Sequence, residues 1–329
     1  MRTDRILDKK SQLYEFFTGD SENKKYIVEL VKNRIFCRAK SIALCFRGDY
    51  ASLYYRANQL LKIHCSRTAV VADFDFRHAR FTQNYRVILR KLISLNVDIS
   101  NFSDLPNQTS RRHVRFELTG KNAVTTYALG EILKIYMDLV DDFVNPDKKE
   151  YAFDPKNHHR KSSNREKDRQ QELYAGYFFG DLSCDRHLLY YDLEYTEHDA
   201  EKSGVHGRFD LLGLERDGDG YTILFAELKS KPGSCTGESG IAAHEKDYIK
   251  YLDSNFVENR KREACENVKL LSKIFEQPLP ENLTPENIKK AKIKFVFSDD
   301  AIGAGRLYRP QDKRIEKVYI SKLGPEESY

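Results

Sequence analysis

The chain has 329 residues, of which 40% are hydrophobic and 32% are charged, and its net charge is +5. This length predicts about two domains, and the apolar fraction is that of a packed globular protein. No apolar run reaches the roughly 18–20 residues of a membrane-spanning helix, and the N-terminus lacks the apolar core of a signal peptide. We therefore expect a cytoplasmic protein that does not enter a membrane.

The six cysteines favour buried free thiols over a metal or disulfide framework. None of them forms a C-x-x-C pair, which a zinc site would need, and the chain is too long for a small disulfide scaffold. The mild positive charge permits a polyanionic partner but does not require one.

The first region, residues 1–145, predicts a separate α+β domain of unknown role. Short apolar runs predict strands at 41–46, 53–55, 60–63 and 68–76, the last with alternation at its end. Helical spacing of apolar residues predicts helices at 85–95 and 124–143.

Residues 146–168 predict a basic linker or mobile loop, because they are polar, rich in turn formers and without periodicity. Arg160 and Lys161 are candidates for contact with a phosphate backbone. A solvated linker explains the same residues equally well.

The third region, residues 169–329, has a clear order of elements. A helix is predicted at 169–179, strands at 188–195, 208–215 and 221–229, helices at 241–252 and 260–275, and strands at 292–298 and 317–320. Two Asp-Gly steps between the second and third strands predict a β-hairpin.

The stretch "AELKSK" ends the third of these strands and carries Glu227 and Lys229. An acidic residue two positions before a lysine occurs five times in the chain, so this pattern alone decides nothing. Here, however, alternation places both side chains on one face of an apolar strand, and the hairpin partner carries Asp210. Two carboxylates suit Mg²⁺, and a lysine beside them can orient a water molecule for phosphodiester hydrolysis.

The segments "GRFDLLG" and "AELK", with sixteen residues between Asp210 and Glu227, resemble the PD-(D/E)xK nuclease superfamily. The resemblance implies a restriction-endonuclease-like core of a helix, a three-stranded meander, a helix and a strand. It implies that Asp210 and Glu227 bind the metal and that Lys229 is the catalytic lysine. A further acidic ligand would be Glu194 or Glu172, with neither preferred. One departure is Phe209, which stands where the family often has proline.

The resemblance also implies that the helix after the Glu-x-Lys strand lines the site. His244 and Tyr248 on this helix, and the nearby Lys231, are therefore predicted to contact nucleic acid. An ordinary solvated helix face is the alternative reading.

Together these patterns predict a nuclease that uses Mg²⁺, with Mn²⁺ as a substitute. The resemblance favours DNA over RNA and leaves RNA open, and analogy suggests antiviral defence or restriction. The alternative is a catalytically inactive nucleic-acid- or protein-binding module that acts as an assembly subunit or sensor. For either function, the N-terminal domain is a candidate contact surface for a protein partner or for a homo-oligomer.

Overall fold

The computed structural model describes residues 6–35, 42–56, 58–75, 85–99, 113–144, 160–177, 188–196, 198–205, 207–236, 240–320 and 327–328. The chain divides into two compact units, one over Leu7–Asn164 and the other mainly over Arg165–Tyr329. Each unit combines α-helices with its own β-sheet, which gives the mixed α and β content expected from the sequence. None of the described helices is long and apolar enough to cross a membrane.

The N-terminal unit is built on a five-stranded antiparallel sheet in the order β1-β2-β3-β4-β5. Its strands are β1 (Ile42–Phe46), β2 (Tyr50–Tyr55), β3 (Asn58–Cys65), β4 (Val70–Asp75) and β5 (His113–Glu117). Its helices are α1 (Gln12–Thr18), α2 (Glu22–Ile35), α3 (Tyr85–Ser94) and α4 (Thr126–Val144). The sequence analysis missed α1, α2 and β5, because each is short or carries only a narrow apolar stripe among charged residues.

One face of this sheet carries the core of the unit. Phe17 of α1 packs edge-on against Phe46 of β1, with ring centroids 5.2 Å apart. Tyr136 of α4 stacks on Phe74 of β4 at 3.6 Å. The strand register places Phe46 and Phe74 on the same side of the sheet, so α1 and α4 cover one face.

The opposite face holds a charged cluster centred on Asp73. His64 Nε2 lies 2.8 Å from Asp73 Oδ2, and Arg115 Nε donates to Asp73 Oδ1 at 2.7 Å. Burial by itself raises the pKa of Asp73. The hydrogen bonds to His64 and Arg115 outweigh burial and lower this pKa to well below its usual range. Alternation along β4 explains why a charged residue stands beside the apolar Phe74.

The C-terminal unit is built on a six-stranded mixed sheet in the order β11-β10-β9-β8-β7-β6. Its strands are β6 (Leu188–Thr196), β7 (Arg208–Asp217), β8 (Gly220–Lys229), β9 (Ile288–Ser298), β10 (Ile315–Ile320) and β11 (Glu327–Ser328). Its helices are α5 (Arg160–Tyr177), α6 (His198–Lys202), α7 (Ile241–Leu252), α8 (Phe256–Phe275) and α9 (Ile302–Leu307). Strands β6, β7 and β8 form an antiparallel meander, and β9 pairs with β8 in parallel.

Helix α5 corrects the predicted linker. It begins at Arg160, so residues 160–168 are the first half of a helix and not a loop. These residues have no apolar periodicity, but Arg, Lys, Glu and Gln have high intrinsic helix propensity, and the apolar face of the helix begins only later. The unit boundary at residue 164 falls within the predicted linker. Residues 145–159 lie outside the described part of the chain.

Gly213 of β7 lets the meander pack closely. A Cβ at this position would lie 2.8 Å from the Tyr190 ring and 3.0 Å from the Leu189 carbonyl oxygen on β6. Both distances are shorter than a normal contact, so only glycine fits without a shift of the neighbouring strand.

We predict that Gly213→Ala lowers the free energy of unfolding by about 1–3 kcal/mol, the usual cost of overpacking. Gly176→Ala is a matched control, because an added methyl meets nothing within 4 Å at this position in α5. Alanine in a helix is favoured over glycine by about 0.5–1 kcal/mol, so this variant should be more stable. Urea unfolding followed by circular dichroism measures both, and a loss of stability in both variants would contradict the packing argument.

We predict that Asp73→Asn lowers the unfolding free energy by about 2 kcal/mol at pH 7, because the hydrogen bonds to a charged acceptor are lost. Folding lowers the pKa of Asp73, so the difference should be complete above the unfolded pKa of about 3.9 and shrink as the pH falls below it. The measurement is urea unfolding between pH 3 and pH 7. The control Asp20→Asn, at a residue that is 90% exposed, should leave stability nearly unchanged.

Candidate active site

The hairpin formed by β7 and β8 brings Asp210 to the end of a strand ladder. The two strands pair from Asp217–Gly220 at the turn to Leu211–Ala226 at the open end. Beyond that point the N–H of Leu228 donates to Asp210 Oδ2 at 2.7 Å. One oxygen of Asp210 therefore replaces a strand carbonyl, which fixes this side chain next to the strand that carries Glu227.

Gln170 of α5 contacts the backbone of Asp210 at the same strand end. Its Nε2 donates to the carbonyl oxygen of Asp210, and its side chain is buried. The sequence analysis did not single out Gln170. A polar residue beside the apolar stretch of a helix gave a faint signal, since a buried amide needs a partner.

Glu227 is the centre of the site and is held by three side chains. Lys229 Nζ lies 3.0 Å and His244 Nδ1 lies 3.1 Å from Glu227 Oε1. The Tyr248 hydroxyl donates to Glu227 Oε2 at 2.7 Å. The Glu227 side chain is 13% exposed and that of Lys229 is 5% exposed, so water screens these contacts poorly. The contact between Glu227 and Lys229 is the one that strand alternation predicts.

The surroundings keep Glu227 ionised. Burial by itself raises the pKa of its carboxyl. The hydrogen bond to His244, the charge of Lys229 and the hydrogen bond from Tyr248 together outweigh burial and lower this pKa to about 2. Burial and the charge of Glu227, with a smaller contribution from Asp210, raise the pKa of Tyr248 well above its usual value. At neutral pH the site thus holds a carboxylate and a neutral phenol.

Aromatic packing sets the position of α7 over this carboxylate. The ring of Phe209 lies 5.0 Å from Tyr248 and 4.9 Å from Tyr251, and Phe225 lies 5.2 Å from Tyr251. These contacts join one face of α7 to β7 and β8. His244 stands one turn before Tyr248 on the same helix, so the same packing brings its ring to Glu227.

The additional acidic ligands do not join this site as the side chains stand. Glu172 pairs with Arg169 at 2.6 Å on α5. Glu194 has a left-handed backbone with φ of 51° and lies between the strand pairs Leu193–Leu211 and Tyr195–Phe209. Across the described residues, no three His, Cys, Asp or Glu side chains form a group that could hold a metal ion. The predicted set of Asp210, Glu227, Glu194 and Glu172 is therefore not assembled.

The predicted nucleic-acid contacts have different outcomes. Tyr248 is fully buried with its hydroxyl on Glu227, so a direct contact with nucleic acid is corrected to a contact with the carboxylate. His244 is 20% exposed, and Lys231 directly precedes the short 3-10 turn Pro232–Cys235. Arg160 and Lys161 lie in the first turn of α5, and their side chains are outside the described part. For these four residues the contact stays a prediction.

A separate groove of about 530 Å³ lies in the N-terminal unit between α2 and α4. Two acidic residues on its wall are already paired. Asp141 accepts from the Tyr55 hydroxyl at 3.0 Å and from Arg56 at 2.9 Å. Glu131 accepts from Lys91 at 2.7 Å. The residues that line the groove are thus distant in sequence from Glu227, and Asp141 and Glu131 have partners of their own.

Comparison with known protein families, with curated proteins and with solved structures finds no match to this chain.

We predict that Tyr248→Phe lowers the unfolding free energy by about 1–2 kcal/mol, because a buried carboxylate loses a hydrogen-bond donor. Tyr191→Phe is the matched control. Tyr191 is also buried, but within the described residues its hydroxyl has no hydrogen-bond partner, so its removal should be neutral. Urea unfolding of both variants makes the comparison, and equal losses would argue against a specific role for the Tyr248 hydroxyl.

Proposed function

We propose that this protein is a metal-dependent nuclease of the PD-(D/E)xK type that hydrolyses phosphodiester bonds. The observation that carries the proposal is the contact of the largely buried Glu227 with Lys229, at the strand end where Asp210 is fixed. The order of α5, the meander β6-β7-β8, the helices α7 and α8, and the parallel strand β9 supports it, since this order is similar to that of the family core.

The donor set fits Mg²⁺ or Mn²⁺. Mg²⁺ commonly binds proteins through one or two carboxylates and keeps water or substrate phosphate at its other positions. Asp210 and Glu227 would hold the ion, so a group of three protein ligands is not required. When bound, such an ion polarises a phosphoryl oxygen and makes a bound water more acidic.

The residues around Glu227 have distinct roles in this proposal. Lys229 orients the attacking water and offsets negative charge that develops on the phosphate. Tyr248 fixes the rotamer of Glu227 through Oε2, so that Oε1 faces Lys229 and His244. The aromatic cluster beneath α7 keeps water away from this side of the carboxylate.

A purely structural ion pair explains the same contacts less well. Replacing a buried ion pair by apolar residues of similar volume is often neutral or stabilising. Stability alone therefore gives no reason to place a carboxylate, an ammonium group and an imidazole at the end of the apolar strand β8. A role in phosphodiester hydrolysis would explain why these three groups are present.

Substrate and biological role remain predictions. DNA is favoured over RNA by the family likeness alone, and a role in antiviral defence or restriction rests on analogy. A protein partner or a homo-oligomer contact through the N-terminal unit is proposed on the same level.

We predict Mg²⁺- or Mn²⁺-dependent cleavage of plasmid, linear or single-stranded DNA by the wild-type chain. Asp210→Asn, Glu227→Gln and Lys229→Ala should each reduce the rate by at least about 100-fold, the usual cost of removing a preorganised charge from an active site. Gel electrophoresis with a parallel set of RNA substrates measures the products.

Asp219→Asn and Lys289→Ala provide a matched control. These residues form an acidic–lysine contact at 3.0 Å in the same unit, but they are 91% and 51% exposed, so their removal should leave cleavage unchanged. Cleavage that survives Asp210→Asn, Glu227→Gln and Lys229→Ala would disprove the site. Nucleic-acid binding without cleavage in the wild type would favour the inactive module.

A further inference from the structure

The candidate site lies where three parallel strands end together. Strand β9 pairs in parallel with β8 on one side and with β10 on the other, so the carboxyl ends of all three strands reach the same edge of the sheet. In this register Phe297 of β9 lies between Lys229 of β8 and Tyr319 of β10. Ligands of open α/β sheets commonly bind just outside the carboxyl ends of the strands.

Helix α9 is packed onto this edge. A Cβ atom at Gly305 would overlap the ring of Phe297, so α9 approaches β9 as closely as only a glycine permits. Lys317 Nζ donates to the carbonyl oxygens of Gly305 at 3.3 Å and of Tyr308 at 3.0 Å. The last turn of α9 is thereby fixed over β9, the neighbour of the strand that carries Lys229.

Helices α7 and α9 lie on the same face of the sheet. The ring of Phe295 on β9 lies 5.9 Å from that of Tyr248 on α7 and 5.7 Å from that of Tyr308, directly after α9. The N–H of Gln311 donates to the buried carboxylate of Glu245 on α7 at 2.6 Å. These contacts make α9 a second wall beside α7 on the face that holds the candidate site.

Two cations, Lys231 and Arg306, lie at this edge of the sheet. Lys231 follows Lys229 by two residues and has an extended backbone with φ of −136° and ψ of 147°. It leads into the Pro232–Cys235 turn, which packs against α9. Arg306 is exposed in the last turn of α9. The end of β8 and the end of α9 thus each present one basic side chain next to the site.

Lys231 and Arg306 form no ion pair within the described part of the chain. Other exposed cations of this unit have an acidic partner, as Lys289 has in Asp219 at 3.0 Å. Asp300 lies at the other end of α9 from Arg306, roughly 9 Å away along a helix axis. The positive charge beside the candidate site is therefore not compensated locally.

The end of α9 is capped by residues other than Arg306. A cation in the last turn of a helix is favoured by the helix macrodipole and by the free carbonyl groups. Arg309 already supplies this contact, because its Nη1 donates to the carbonyl oxygens of Arg306 at 2.6 Å and of Tyr308 at 3.2 Å. The exposed guanidinium of Arg306 thus remains accessible to an anionic partner.

We propose that Lys231 and Arg306 bind phosphate groups of a nucleic-acid strand on one side of the scissile bond. The strand passes from Glu227 and Lys229 across the ends of β8 and β9 toward α9. Uncompensated cations beside a phosphodiester site match the charge of a polyanion, and such contacts position the strand without reading its sequence. This inference rests on the proposed nuclease function, because it takes the reacting phosphate to lie at Lys229.

Nucleic-acid binding at several salt concentrations tests the proposal. Fluorescence anisotropy of a labelled DNA duplex between about 50 and 200 mM NaCl gives the slope of the logarithm of the binding constant against that of the salt concentration. EDTA in the buffer prevents metal-dependent cleavage. Lys231→Gln and Arg306→Gln should each make this slope shallower by about 0.9, which corresponds to one phosphate contact, and the double variant by about 1.8.

Arg262→Gln is the matched control. Arg262 is also exposed, but it lies on α8, which packs against β6 at the other side of the sheet. Its slope should equal that of the wild type. Urea unfolding should give the wild-type stability for all three single variants, because surface substitutions usually change it by less than about 0.5 kcal/mol.

The outcomes separate this proposal from the nuclease function. If both variants keep the wild-type slope while the wild type cleaves DNA, the phosphate contacts are wrong and the nuclease proposal stands. An equal change in Arg262→Gln would also overturn the contacts, because net charge alone would then explain it. Shallower slopes in Lys231→Gln and Arg306→Gln without any cleavage by the wild type would support the contacts and contradict the nuclease function. A wild type that binds no nucleic acid would overturn the contacts.

Discussion

A carboxylate with little access to water must be compensated, and Glu227 of the C-terminal unit meets this constraint at the end of β8. Its two oxygens receive contacts from two elements, β8 itself through Lys229 and α7 through His244 and Tyr248. Desolvation of an ion costs several kcal/mol, so α7 cannot shift without exposing an uncompensated charge. The position of α7 and the geometry of the site therefore depend on the same contacts.

The end of the β7–β8 ladder shows how a structural need and a chemical group can share one residue. The N–H of Leu228 has lost its strand partner, and Asp210 supplies the acceptor. Gln170 holds the backbone of the same residue from α5. The aspartate is thus placed by backbone hydrogen bonding, which is a rigid constraint, and its carboxylate lies at the end of β8 beside Leu228.

The two units compensate a carboxylate of low exposure with different sets of side chains. Asp73 in the N-terminal unit lies beside Arg115 and His64, where water still reaches the guanidinium. Glu227 contacts the permanent cation Lys229 and also an imidazole and a phenol.

Features that depend on residues close together in the chain can be predicted from the sequence. Asp-Gly steps encode the hairpin turn between β7 and β8, and a period of two places Glu227 and Lys229 on one face. Apolar spacing located the main strands and α4 and α7, because side-chain direction repeats with the local backbone geometry. The start of α5 at Arg160 was missed because helix propensity there is not accompanied by an apolar face.

The side chains that contact Glu227 depend on the tertiary structure. His244 and Tyr248 lie 17 and 21 residues further along the chain, across a loop, and no local period fixes that distance. The packing of Phe209, Phe225 and Tyr251 does so. The same holds for Gln170, whose partner is 40 residues away. Local patterns thus supplied the acidic residues and the lysine, and long-range packing supplied the phenol and the imidazole that make them a site.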